Sequence, residues 1–159
     1  MNFDQRAFRN ALGCFATGIT VVTTVATDGQ PVGLTVNSFN SVSLDPPLVL
    51  FSLAENSQHL DAFRGSGCFA VNVLAEDQRD LSVRFATSIE DRWQEVAYET
   101  WETGAPILTG CLASFECRTE AMHEGGDHII MVGRVCRLIS VQEGRPLLYF
   151  QGKYARVGE

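Results

Sequence analysis

The run Thr35-Val36-Asn37-Ser38-Phe39-Asn40-Ser41-Val42-Ser43-Leu44-Asp45-Pro46-Pro47 concentrates side chains suited to binding chemistry. Hydroxyl and amide groups stand at Thr35, Asn37, Ser38, Asn40, Ser41 and Ser43, and Asp45 is the only charge. Each of these groups both donates and accepts hydrogen bonds. A neutral, flat ligand with a polar edge needs such a lining, because a charge buried without a partner is costly. An apolar run, Leu48 to Leu53, follows at once and reads as a strand. Ser and Asn are also ordinary loop residues, so a plain loop entering that strand is the bland alternative.

Three shorter groups stand beside it. Asn56-Ser57-Gln58-His59 precedes Leu60 and Phe63 in the pattern of a helix N-cap. The free N–H groups and positive end of such a helix would also suit a phosphate in a chain short of Lys and Arg. Gly126-Asp127-His128 falls at the start of a strand, where His128 is either a turn residue or a group that stacks on or hydrogen-bonds a ligand at a barrel mouth. Gly152-Lys153-Tyr154 is either a surface tail or a lid over a ring. Other chemistries lack their signatures: there is no G-x-G-x-x-G, no P-loop and no Gly-x-Ser-x-Gly elbow. The three His, at 59, 123 and 128, form no HxxxH or HxH pair, so no metal site is expected.

The bulk of the chain narrows the class. A length of 159 residues suggests one domain spanning 1–159, and 45% apolar with 19% charged residues argues for a packed core. The net charge of −7, with no basic run, disfavours nucleic acid and anionic membrane as partners. The apolar runs are strand-sized, too short to span a bilayer as helices. Met1 to Arg6 lacks the basic start and apolar core of a signal peptide. The five Cys, at 14, 68, 111, 117 and 136, form no CxxC pair; they read as reduced, buried core thiols of a cytoplasmic protein.

The elements that must position these groups are mostly strands. Asp4 is expected to cap a helix to about Phe15, with Phe8, Leu12 and Phe15 buried on one face and Gly18 closing it. Val- and Thr-rich segments predict strands over 19–27 and 31–36, joined at Asp28-Gly29, and a third over 48–54. A short helix follows from Asn56 or Ser57 to Arg64, then a strand over 68–74 and a helix over 77–86 carrying Leu81 and Phe85. Residues 88–110 read as an irregular surface excursion. Two longer strands, 112–122 and 129–141, flank Gly125-Gly126, and 146–150 is a last short strand. Hairpins with few helices favour an antiparallel barrel over a parallel α/β sheet.

Together the chain resembles the short-chain flavin reductases, the NAD(P)H-dependent partners of two-component flavin monooxygenases. The blocks that carry the likeness run nearly end to end: Phe8 to Gly13, Phe15 to Thr24, Thr35 to Phe39, Ser41 to Pro47, Phe69 to Leu74, Phe85-Ala86, Gly126 to His128 and Gly152 to Tyr154. The resemblance implies a mainly β fold, the FMN-binding split β-barrel, antiparallel and Greek-key-like with short flanking helices. It also implies a homodimer with the flavin near the subunit interface. In that likeness Thr35, Val36, Asn37, Ser38, Phe39, Ser52 and Leu53 edge the ring. Asn56, Ser57, Gln58 and His59 hold the phosphate, and Phe85 and Ala86 lie at the flavin. His128 and Tyr154 stand on the nicotinamide side, with His128 the catalytic candidate.

The reaction expected is hydride transfer from NADH to FMN or FAD, with the reduced flavin passed to a monooxygenase. NADH is expected over NADPH because no Arg-rich pocket for a 2′-phosphate is visible. Other readings are an FMN-dependent oxidase on the same barrel, a non-catalytic flavin- or haem-binding protein, or a small-ligand barrel without redox chemistry.

Overall fold

The computed structural model describes residues 2–158. Asp4 opens α1 (Gln5–Gly13), its carboxylate accepting the Ala7 N–H at 2.7 Å. The helix ends at Cys14 rather than at Gly18. Its apolar face is not buried: Phe8, Leu12 and Phe15 are each more than half exposed, since no described element of the chain folds over them.

The chain then forms β1 (Thr17–Gly18), β2 (Thr20–Val25), β3 (Pro31–Val36), β4 (Asn40–Leu44) and β5 (Pro47–Ala54). The short β4 lies within the polar run, for which a plain loop is the bland alternative from sequence. After α2 (Leu60–Ser66) come β6 (Cys68–Val73), a 3-10 turn (Glu76–Gln78) and α3 (Arg79–Ala86). The α2 N-cap is His59, not Asn56 or Ser57, and no side chain caps it; the Ser57 hydroxyl instead accepts the His59 N–H at 3.2 Å. β7 (Tyr98–Thr100), β8 (Pro106–Leu108), β9 (Ala113–Glu124) and β10 (His128–Ser140) follow. The chain closes with β11 (Leu148–Phe150) and β12 (Lys153–Ala155).

Seven strands make the main sheet, in the order β3-β2-β6-β9-β10-β5-β4, with every neighbouring pair antiparallel. Hairpins β2–β3, β4–β5 and β9–β10 are separated by crossovers, which gives the Greek-key-like character. The strand-order ends, β3 and β4, are consecutive in sequence and joined by residues 37–39, so the sheet curls round into a split barrel. Val22, Phe51, Leu53, Phe63, Phe69, Val71, Cys117 and Met131 fill its interior. Phe51 anchors this core with edge-on contacts to Phe63 at 5.6 Å and Phe69 at 5.0 Å.

Strand periodicity of two gives β2 and β6 two buried faces. Val22, Phe69 and Val71 point into the barrel, while Val21 and Ala70 meet an outer layer. That layer is α3 and the β7–β8 hairpin, so residues 88–110 are not merely a surface excursion. Ala105, Pro106, Ile107 and Leu108 are buried. Asn72, also buried, pins them: its Nδ2 donates to the Val21 carbonyl at 3.1 Å and the Pro106 carbonyl at 3.4 Å, and its Oδ1 accepts from Leu108 N–H at 2.9 Å and Ser114 Oγ at 3.0 Å. Glu116 pins the next turn, accepting from Thr103 N–H and Oγ1.

The cysteines divide. Cys68 and Cys117 are buried, Cys111 is half-buried, and Cys14 and Cys136 are exposed. Cys14 lies on the uncovered α1 and Cys136 on the outer part of β10, which the core does not reach. Burial pushes the Cys111 thiol up to about 12, against a hydrogen bond from Gln78, and pushes Cys117 up as well. Neither is a nucleophile near neutral pH.

Candidate flavin site

Three adjoining recesses, of about 440, 300 and 200 Å³, lie along β3, and Thr35 lines all of them. The largest is walled by Asn56, Ser57, Gln58, His59, Phe85, Ala86 and Arg92 among others. The second takes in Val36, Asn37, Ser38, Ser52, Leu53, Ser57 and His128. The smallest lies among Val36, Asn37, Ser82, Ala86, Tyr149 and Tyr154. Every sequence-predicted site residue except Phe39 therefore lines at least one of these three adjoining recesses, which together make a groove along β3. Phe39 packs against the barrel core, its ring 5.7 Å from that of Phe115.

The groove is built where four segments meet. Thr35 Oγ1 donates to the Ser82 carbonyl at 2.6 Å, fixing α3 against β3. Gly33 permits that approach, since a Cβ there would stand 3.0 Å from both the Phe85 and Trp93 rings. Ser38 ties the β3–β4 loop to β5, its Oγ accepting the Ser52 N–H at 2.9 Å. This hydroxyl already has a structural partner. The exposed Asn37 amide has none among the described residues and is available to a ligand.

At the far end of the second recess, His128 opens β10 opposite Ala54 of β5. Its Nδ1 lies 2.6 Å from Asp127 Oδ1, which leaves Nε2 free to face a ligand. That contact, first by its hydrogen bond and then by the imidazole charge, holds the Asp127 carboxyl below the usual carboxylate range. In the smallest recess, Tyr154 Oη and Ser82 Oγ are 2.9 Å apart, and the Arg79 guanidinium sits 5.0 Å above the Tyr154 ring.

Sequence reasoning missed Arg92. It comes from the excursion after α3, and its Nη2 donates to the Thr87 carbonyl at 3.0 Å while Nη1 reaches Gly33 O at 3.3 Å. Nη1 also lies 3.1 Å from His59 Nε2. The signal was faint: one Arg in an acid-rich stretch, beside a Trp that packs against Phe85 at 4.8 Å. Ser82, within α3, and Thr87 and Ser88, just past its end, were missed too, being ordinary helix and helix-end residues in sequence.

The arrangement suits a flavin. Neutral hydroxyl and amide groups at Thr35, Asn37 and Ser52 match an uncharged ring with a polar edge. Arg92 supplies the cationic end that a phosphate needs, with the His59 ring beside it. Among the described residues no cluster of three His, Cys, Asp or Glu could hold a metal.

Known proteins share this fold and much of this sequence. The family described as "Flavin reductase like domain" matches residues 12–158. The reductase subunit HsaB of a flavin-dependent monooxygenase from Rhodococcus jostii is 44% identical over 97% of this chain and 78% of its own length. An FMN reductase (NADH), SmoA, from Agrobacterium fabrum is 48% identical over 96% of this chain and 86% of its own. The crystal structure of a nitrilotriacetate monooxygenase component B homologue from Mycobacterium thermoresistibile superposes with a TM-score of 0.93 at 42% identity, covering 98% of this chain and 87% of that one. The chain belongs to the flavin reductase family. It is an oxidoreductase, a flavin reductase of the split-barrel kind.

Proposed function

We propose that this chain, as a single domain, passes hydride from NADH to FMN, or to FAD, and hands the reduced flavin to a flavin-dependent monooxygenase. The carrying observation is the groove around Thr35, neutral and polar beside Ser52 and cationic at Arg92. A bound flavin supplies the electron-accepting chemistry, so the protein's task is placement and field. Asn37 and the backbone N–H groups near it hydrogen-bond the ring edge and favour negative charge there. Asn56, Ser57, Gln58 and His59 hold the phosphate. Phe85 and Ala86 wall the ring, and His128 and Tyr154 order the nicotinamide over it, replacing a random encounter with a fixed approach.

NADH is favoured over NADPH because, among the described residues, no Lys or Arg lines the recess that contains His128. A homodimer is supported by the exposed apolar ridge of Phe8, Leu12 and Phe15, which soluble monomers seldom leave bare. The cytoplasm is the proposed compartment, in keeping with the free thiols. No described helix is long and apolar enough to cross a membrane.

The test is steady-state NADH and NADPH oxidation with FMN, FAD and riboflavin in turn. Turnover with at least one flavin is expected, and no turnover with any of them overturns the reading. Light scattering should give about twice 17.5 kDa, and a fully active monomer at micromolar concentration would defeat the dimer.

A further inference from the structure

The Arg92–His59 contact fixes the protonation state of the groove's cationic end. A guanidinium has only donors, so at 3.1 Å His59 Nε2 must accept. The Gln58 side-chain amide nitrogen, 3.4 Å from the same atom, agrees with an acceptor there. His59 is therefore the neutral imidazole with its proton on Nδ1. Burial, and after it the Arg92 charge, holds the ring below its usual range. Among the described residues lining this recess, Arg92 is the one charged group facing it: β3 offers Leu34 and Thr35, the end of α3 and the turn after it offer Phe85, Ala86, Thr87 and Ser88, and the lead-in to α2 offers Asn56, Ser57 and Gln58.

A flavin phosphate carries nearly two negative charges at neutral pH. Arg92 alone leaves such a dianion one charge short. We infer that Arg92 and His59 form a proton-linked clamp for the flavin phosphate, in which His59 takes one proton from solvent as the phosphate enters and returns it as the flavin leaves. This rests on the flavin-reductase reading. Without the anion, a protonated His59 would face Arg92 with like charge and no acceptor. With the dianion present, Arg92 and His59 both donate to it, and the site's two positive charges match its two negative ones. Arg92 thus becomes a specificity-determining residue for phosphorylated flavins, and His59 makes their hold depend on pH.

The sign follows from linkage. Binding raises the affinity of His59 for its proton, so, once the phosphate is past its own second titration at about pH 6, FMN affinity tracks that proton. Above the free-state titration of His59 it falls by about tenfold per pH unit until the bound-state titration is passed. A reductase that must release its product gains looser binding on the alkaline side.

The experiment is calorimetric titration of the protein with FMN and with riboflavin at pH 7.5, in phosphate-free buffers of different ionisation heat. The expected result is net uptake approaching one proton per FMN bound, none with riboflavin, and loss of the uptake in His59→Gln, whose amide keeps a partner for Arg92. Arg92→Gln should weaken FMN by about 10–100-fold and riboflavin little, the range for hydrogen bonds to charged groups. FMN binding without proton exchange, or equal uptake with riboflavin or in His59→Gln, overturns the clamp and leaves the flavin-reductase reading intact. Failure of both flavins to bind or be reduced overturns both.

Discussion

Tyr154 and Ser82, 72 positions apart in sequence, meet through their hydroxyls at 2.9 Å beneath the smallest recess. The contact joins β12 to α3, and Thr35 holds the same Ser82 through its carbonyl. The C-terminal segment is thereby fixed to the wall of the groove rather than left as a tail. Tyr154→Phe removes one hydrogen bond and keeps the ring. It should cost about 1 kcal/mol in a denaturant melt, the usual worth of such a bond, and raise the KM for NADH more than that for flavin. Equal stability and equal kinetics would return Tyr154 to a surface role.

Asn37 and Ser57 face the groove from its two sides, and the Asn37 amide has no partner among the described residues. The double variant Asn37→Ala with Ser57→Ala should weaken flavin binding by roughly 1–3 kcal/mol, the scale of lost polar hydrogen bonds. Fluorescence titration reads it. Ser38→Ala belongs to a different class: it orphans the Ser52 N–H and should lower stability before it lowers affinity. Unchanged affinity in a folded double variant removes both residues from the ligand contacts.

His128 lines the groove with Nδ1 tied to Asp127, so Nε2 is the nitrogen left for a ligand. His128→Ala should raise the KM for NADH while leaving the flavin constant nearly unchanged, the mark of lost substrate binding. A fall in kcat is expected as well, since a hydride donor misplaced by about 1 Å can cost ~100-fold. Steady-state kinetics with each substrate varied separately checks this, and unchanged NADH constants would make His128 an ordinary turn residue.

Asn72 is buried with both ends of its amide engaged, and its partners lie on β2, β8 and β9. Asn72→Ala would strand several buried groups and should cost about 3 kcal/mol. The β7–β8 hairpin it pins is continuous with the segment carrying Arg92. FMN binding should therefore weaken in this variant even though Asn72 is not in the groove. Thermal melts and FMN titration together test the link; a loss of stability with wild-type FMN affinity would separate the hairpin from the site.

The strands and their hairpins were legible because period-two patterns and turn residues are local signals. Val-Val-Thr-Thr beside Asp28-Gly29 needs no distant partner to be read. The groove was legible only through polar runs and family likeness, since its residues come from β3, β5, α3 and the C-terminus. Arg92, Ser82 and the β7–β8 hairpin were not legible, because their roles arise from contacts made across long sequence separations. The α1 ridge misled for the opposite reason. Its pattern marks a face to be covered, as Phe8 and Leu12 show, but helical spacing does not say whether the cover comes from the same chain.

The strand order ends at β3 and β4, and the loop that joins them is braced to β5 by Ser38. A small molecule entering the recess beside Ser38 and Ser52 would meet this loop and need break no backbone ladder of the sheet. Amide hydrogen exchange resolves the two kinds of opening. The N–H groups around residues 37–39 should exchange quickly and slow down when flavin binds. Those of β6 and β9, deep in the sheet, should keep one slow rate with or without ligand. That outcome would put flavin traffic and the breathing of the barrel on separate clocks.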